Sequence, residues 1–83
     1  MNHAPPSALV VDNGQRVLLR LDGKHYDLSQ HQLRALLGLS PGKPGLGITI
    51  DGDRFCFEFA ADEQIMELSA RQLQRRLAKQ PAA

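Results

Sequence analysis

Four polar residues in the first half, His25, Asp27, Ser29 and His31, are of the types from which a nucleophile–base relay is built. A serine attacks only when a histidine takes its proton and a carboxylate orients that histidine. The spacing argues against such a relay. On a strand, His25 and Asp27 share one face, while Ser29 stands where a helix needs its N-cap. No G-x-S-x-G elbow accompanies them, so surface histidines are expected and no residue is assigned a catalytic role.

Asp51, Asp53, Glu58, Asp62, Glu63 and Glu67 crowd the second half. Carboxylates do acid–base work in a cleft that desolvates them, and turn or outward strand positions give little desolvation. The calcium-loop spacing is also missing. A solvated or partner-facing negative patch is the expectation. The stretch Gly42-Lys43-Pro44-Gly45-Leu46-Gly47 has the glycines of a phosphate loop. Such a loop presents consecutive free N–H groups and leads into a helix. Here Pro44 removes a donor and a strand follows, so the segment reads as a linker.

Cys56 is the sole cysteine, which excludes an intramolecular disulfide, and with His3, His25 and His31 it forms no zinc-ligand spacing. No lysine or histidine adjoins it to activate the thiol, and a small apolar residue in a sheet-face contact is expected. No metal or cofactor is assigned.

The strongest charged feature is C-terminal. Arg71, Arg75 and Lys79 recur at i, i+4 and i+8, with Arg76 beside them and no acid between. Cations in the last turns complement the helix dipole. They could also face an acidic protein or nucleic-acid phosphates. Single-strand binding needs exposed rings for stacking, whereas all four aromatics, Tyr26, Phe55, Phe57 and Phe59, fall on core-facing positions. Nucleic-acid binding through Arg71, Arg75, Arg76 and Lys79 is therefore the second reading.

The elements that position these residues come as two copies of one pattern. Tyr26-Asp27-Leu28-Ser29 precedes Gln32-Leu33 and Leu37, and forty residues later Met66-Glu67-Leu68-Ser69 precedes Gln72-Leu73 and Leu77. Upstream, Arg16-Val17-Leu18-Leu19-Arg20-Leu21 lies over Arg54-Phe55-Cys56-Phe57-Glu58-Phe59. Leu9 and Val11 lie over Ile48 and Ile50. Each copy reads as three strands and a helix. An Asn13-Gly14 turn joins the first two strands, because both residues tolerate positive φ. Ser29 and Ser69 open the helices, with Gln32 and Gln72 placed to close capping boxes. Gly38 and Pro41 end the first helix and Pro81 the second. The shared D/E-L-S-x-x-Q-L pattern is capping chemistry common to unrelated helices and identifies no family.

The expected fold is α+β, a tandem βββα repeat, with one antiparallel sheet of about six strands and two helices on one face. Two three-stranded halves around a shared core are the alternative. The expected boundaries are a disordered tail over 1–7 and a single domain over 8–80, its repeats 8–39 and 46–80 joined by the linker 40–45. Alternation turns Leu9, Val11, Val17, Leu19, Leu21, Tyr26 and Leu28 inward, with Leu46, Ile48, Ile50, Phe55, Phe57, Phe59, Met66 and Leu68. Outward go Val10, Arg16, Leu18, Arg20 and His25, then Thr49, Arg54, Cys56, Glu58 and Ile65. Val10, Leu18, Cys56 and Ile65 would then form an apolar centre on the open face, a protein interface.

Size agrees with that reading. A chain of 83 residues buries roughly 60% of its unfolded surface and gains from a partner, and no disulfide or metal offers a substitute. The hydrophobic fraction of 42% and charged fraction of 23% are ordinary for a globular protein. No apolar run reaches the roughly 20 residues of a membrane span. The start lacks an apolar signal region, and with a free thiol this points to the cytoplasm. The net charge of +1 is too small to argue for nucleic acid by itself, although residues 51–70 carry −5 and residues 71–83 carry +4. Seven arginines against three lysines suggest a GC-rich bacterial gene. The expectation is a non-catalytic protein-binding module, an inhibitor or accessory protein of a bacterial mobile element or phage. It is expected to be homodimeric through its open sheet face.

Overall fold

The structure, a computed structural model, describes residues 5–43 and 45–79. Its elements are β1 (Ser7–Val11), β2 (Arg16–Leu21), β3 (Lys24–Ser29), α1 (Gln30–Leu36), β4 (Leu46–Asp51), β5 (Arg54–Phe59), β6 (Gln64–Ser69) and α2 (Ala70–Lys79). The α+β class and the tandem βββα order are as the sequence predicts. The strands do not make one continuous sheet, however. They form two antiparallel three-stranded sheets, β1-β2-β3 and β4-β5-β6. β1 and β4 run near one another without ladder hydrogen bonds. The turn after β1 also reaches β4. A Cβ on Gly14 would fall 2.8 Å from the Leu46 nitrogen, so the turn lies directly against the first residue of β4.

Loop lengths fix the register. Val11 pairs with Arg16 across four turn residues, in which Asp12, Asn13 and Gly14 have φ of 54°, 56° and 86°. Asp51 pairs with Arg54 across a two-residue turn. The second hairpins reverse this order, two residues between Leu21 and Lys24 and four between Phe59 and Gln64. All four loops are even-membered. The four-residue loop after Val11 sets Val11 opposite Arg16 and Val10 opposite Val17, and any even loop would give the same facing, so β1 presents Ala8 and Val10 to the core and Leu9 outward. The inward placement of Leu9 and Val11, and the outward placement of Val10, are thereby corrected. Apolar alternation in β1 is ambiguous because Leu9, Val10 and Val11 are all aliphatic, and the turn decides. The same register makes Val10 the counterpart of Ile50, and Leu9 that of Thr49.

The repeat extends to hydrogen bonds. The first amide of α1, Gln30 N, donates to Gln15 O at 2.8 Å, and the first amide of α2, Ala70 N, donates to Asp53 O at 2.6 Å. Both carbonyls immediately precede the central strand of their sheet. Both expected capping boxes form. Gln32 N donates to Ser29 Oγ at 3.1 Å while Ser29 N donates to Gln32 Oε1 at 2.8 Å. Gln72 and Ser69 repeat this at 3.1 and 2.9 Å. Gly38 takes a φ of 77° at the end of α1; its N–H reaches Ala35 O, and Leu39 N–H reaches Arg34 O. That doubled contact is a Schellman closure, and it turns Leu39 back onto the core. Pro81 lies outside the described residues.

One apolar cluster joins both halves: Val17, Leu19, Leu21, Leu28, Leu33, Leu36 and Leu37 with Leu46, Phe55, Phe57, Phe59, Leu68, Leu73 and Leu77. Tyr26, Ile48, Ile50 and Met66 pack half-buried at its margin. Of the tail expected over 1–7, Ser7 belongs to β1 and pairs with Arg20. Residues 1–4 lie outside the described residues. Among the described residues no helix is long and apolar enough to cross a membrane.

Candidate interaction face

The helices and core cover one side of each sheet, and the other side is left open. On the first sheet the open side is built from Ser7, Leu9, Val11, Arg16, Leu18, Arg20, His25, Asp27 and Ser29. Its counterpart carries Gly47, Thr49, Asp51, Arg54, Cys56, Glu58, Ile65, Glu67 and Ser69. Three large hydrophobics stand exposed there, Leu9 at 57%, Leu18 at 39% and Ile65 at 65%. Leu9 and Leu18 are direct cross-strand partners. They line a concavity of about 620 Å³ together with Ser7, Arg20, His25 and Asp27 and the inward-facing Ala8, Leu19 and Tyr26.

Three of the four expected interface residues keep their outward side: Leu18, Ile65 and the half-buried Cys56, which sits between Thr49 and Glu67. Val10 does not, being packed against the core, and Leu9 takes its place. Reading β1 from its turn, rather than from alternation alone, would have found Leu9.

Each open side carries one ion pair at an equivalent position. Arg16 Nη2 lies 2.6 Å from Asp27 Oδ1, and Arg54 Nη2 lies 3.6 Å from Glu67 Oε2. The Arg16 contact is reinforced by Nε at 3.1 Å. Solvent-facing pairs of this kind contribute about 0.2–1 kcal/mol each and serve more to fix side-chain directions. The four groups weighed for a relay are not assembled into one. Asp27 is held by Arg16, Ser29 Oγ accepts from Gln32 N, and His25 and His31 are exposed. Among the described residues, no three of His, Cys, Asp and Glu come together as a metal site.

A second polar assembly gave no signal in the sequence. Arg34 on α1 is buried, its side chain 2% exposed, and its Nη2 lies 2.6 Å from Asp62 Oδ2 in the β5–β6 loop. Its guanidinium also donates to Ser40 O at 3.1 Å and Lys43 O at 3.4 Å, and covers the Phe59 ring at 4.4 Å from the centroid. Gln30, one turn earlier on the same face, donates to Lys43 O at 2.7 Å. Gly42 fits between them because it has no side chain; a Cβ there would lie 2.6 Å from Arg34 Nη1. This cluster ties the inter-repeat linker to both halves, a structural duty. The only hint in the sequence is that Gln30 and Arg34 interrupt the apolar face of α1 at i and i+4.

On α2, Arg71, Arg75, Arg76 and Lys79 are exposed. Arg76 Nη1 donates to Leu36 O at 3.0 Å, which ties the end of α2 to the end of α1.

No known protein family matches the chain, and no curated protein or solved structure shows significant similarity to it.

Proposed function

We propose that this chain is a small non-catalytic protein-binding module, cytoplasmic in setting, that works through the open sides of its two sheets and pairs there with a second copy. The observation that carries this reading is the placement of Leu9, Leu18 and Ile65. Among the described residues the fold buries fourteen apolar side chains, yet leaves these three aliphatic ones exposed. A chain of this size has little stabilising free energy to spare for exposed aliphatics, and covering them on association recovers about 25 cal/mol per Å² of apolar surface. Leu9 and Leu18 line the concavity, and the carboxylate in its lining, Asp27, is held by Arg16. An inhibitor or accessory role of a bacterial mobile element fits a small module without catalytic groups.

The nucleic-acid reading is less well supported. Arg76 is drawn onto α1, and Phe55, Phe57 and Phe59 are buried where no base can stack.

Leu18→Arg and Ile65→Arg test the proposal. Both are expected to stay folded while losing self-association, seen as a halved mass in light scattering, with the thermal midpoint lowered only by what the dimer contributed. Val10→Arg, which points inward, is expected to lower the midpoint further. Unchanged mass in both outward variants would remove the proposal.

A further inference from the structure

The two open sides are built on equivalent positions, so their differences are informative. The ion pairs Arg16–Asp27 and Arg54–Glu67 occupy matching places. Beyond those pairs, Ser7-Arg20-His25 on the first sheet stands against Gly47-Glu58-Ile65 on the second, and Val11 beside Arg16 stands against Asp51 beside Arg54, so the first side keeps a cation and the second keeps two carboxylates. Arg20 and Glu58 are positional counterparts of opposite charge. Among the described residues neither enters an ion pair, and the buried Nε of Arg20 has no hydrogen-bond acceptor. The neighbouring row is apolar on the first sheet, Leu9 and Leu18, and carries Thr49 and Cys56 on the second.

The geometry points to a specific pairing, which rests on the self-association proposed above: the first sheet of one copy receives the second sheet of another. In this arrangement Ile65 enters the concavity lined by Leu9 and Leu18, and Glu58, its cross-strand partner, meets Arg20. Gly47 on the other side of Glu58 adds no side chain to obstruct the approach. Pairing like with like would instead set Arg20 against Arg20 and Glu58 against Glu58, and would leave Ile65 facing Cys56 and Thr49. With both open sides presented in one direction, a twofold arrangement makes the unlike contact twice and closes a dimer.

Complementary charge reversal tests this pairing with the full chain. Arg20→Glu and Glu58→Arg are each expected to weaken self-association by roughly a hundredfold, since a like-charge clash is made at both contacts. An equimolar mixture of the two variants is expected to regain the wild-type mass, because each supplies the face the other needs. The double variant is expected to regain it too. Circular dichroism on the single variants checks that they remain folded. If Leu18→Arg dissociates the protein while the single charge variants stay dimeric, or if the mixture stays monomeric, the unlike pairing is wrong and the open-side reading survives. If the wild type itself is monomeric, both fall.

Discussion

Replacing Asp62 with alanine should destabilise this protein more than replacing the buried arginine it holds. Arg34 is 2% exposed, and its charge faces Asp62 Oδ2 at 2.6 Å with only two carbonyl oxygens and the Phe59 ring beside it. Its Nε has no partner, so no hydrogen bond is in reserve. Removing one member of a buried pair typically costs about 3–5 kcal/mol, because the remaining charge is stranded away from water. Asp62 is 32% exposed, so some water enters on its removal, and the two carbonyls remain. The expected loss for Asp62→Ala is therefore about 2–3 kcal/mol. That is a large part of the roughly 4–12 kcal/mol available at about 0.05–0.15 kcal/mol per residue. Arg34→Met removes the charge and keeps apolar bulk over Phe59, at a cost of about 1 kcal/mol for the lost carbonyl bonds. Adding Asp62→Ala to Arg34→Met should then cost under about 0.5 kcal/mol, a strongly non-additive pair. Urea denaturation followed by circular dichroism measures this. With a slope near 1 kcal/mol per molar urea, Asp62→Ala should lower the midpoint by about 2 M. A shift of Asp62→Ala within error of zero, or a larger cost for Arg34→Met than for Asp62→Ala, would refute the stranded-charge argument.

Gly14→Ala should cost at least about 1–3 kcal/mol, because the residue sits at φ 86° and its Cβ would press on the Leu46 backbone; a neutral result in thermal unfolding would contradict the close approach of turn and β4. Ser69→Ala should lose about 1 kcal/mol with its capping bond, measurable in the same unfolding experiment, and no loss would mean that α2 does not depend on its cap. The open-side account also predicts that DNA and RNA show no mobility shift with this protein at low salt. A shift that weakens steeply as salt rises, and disappears in Arg71→Ala/Arg75→Ala, would favour the basic helix instead.

Much of this architecture was legible because several signals agree. The serine and glutamine pairs at 29/32 and 69/72 mark both helix starts through capping chemistry, and both boxes form. Alternating apolar residues in β2, β5 and β6 identify the inward side because their outward neighbours are mostly polar. β1 lacks that contrast, and there the side is set by loop parity, which moved Leu9 outward and Val10 inward. How β1 and its turn meet β4 is not legible locally either: Gly14 and Leu46 stand thirty-two positions apart, and no local pattern encodes their contact. Arg34 was missed for a related reason. A cation beside an apolar stripe ordinarily reads as solvent-facing, and only the linker and the β5–β6 loop folding over it make it buried. On the candidate face, Leu18, Cys56 and Ile65 were visible from alternation, while the significance of Arg20 and Glu58 appeared only once the two sheets could be compared row by row.

The central claim is that the aliphatic side chains left in water by one copy are covered by another. Sedimentation equilibrium of the unmodified protein across micromolar concentrations examines it most directly. A species of twice the 9.2 kDa chain mass, dissociating on dilution, is the predicted result. A single 9.2 kDa species at every concentration would contradict it.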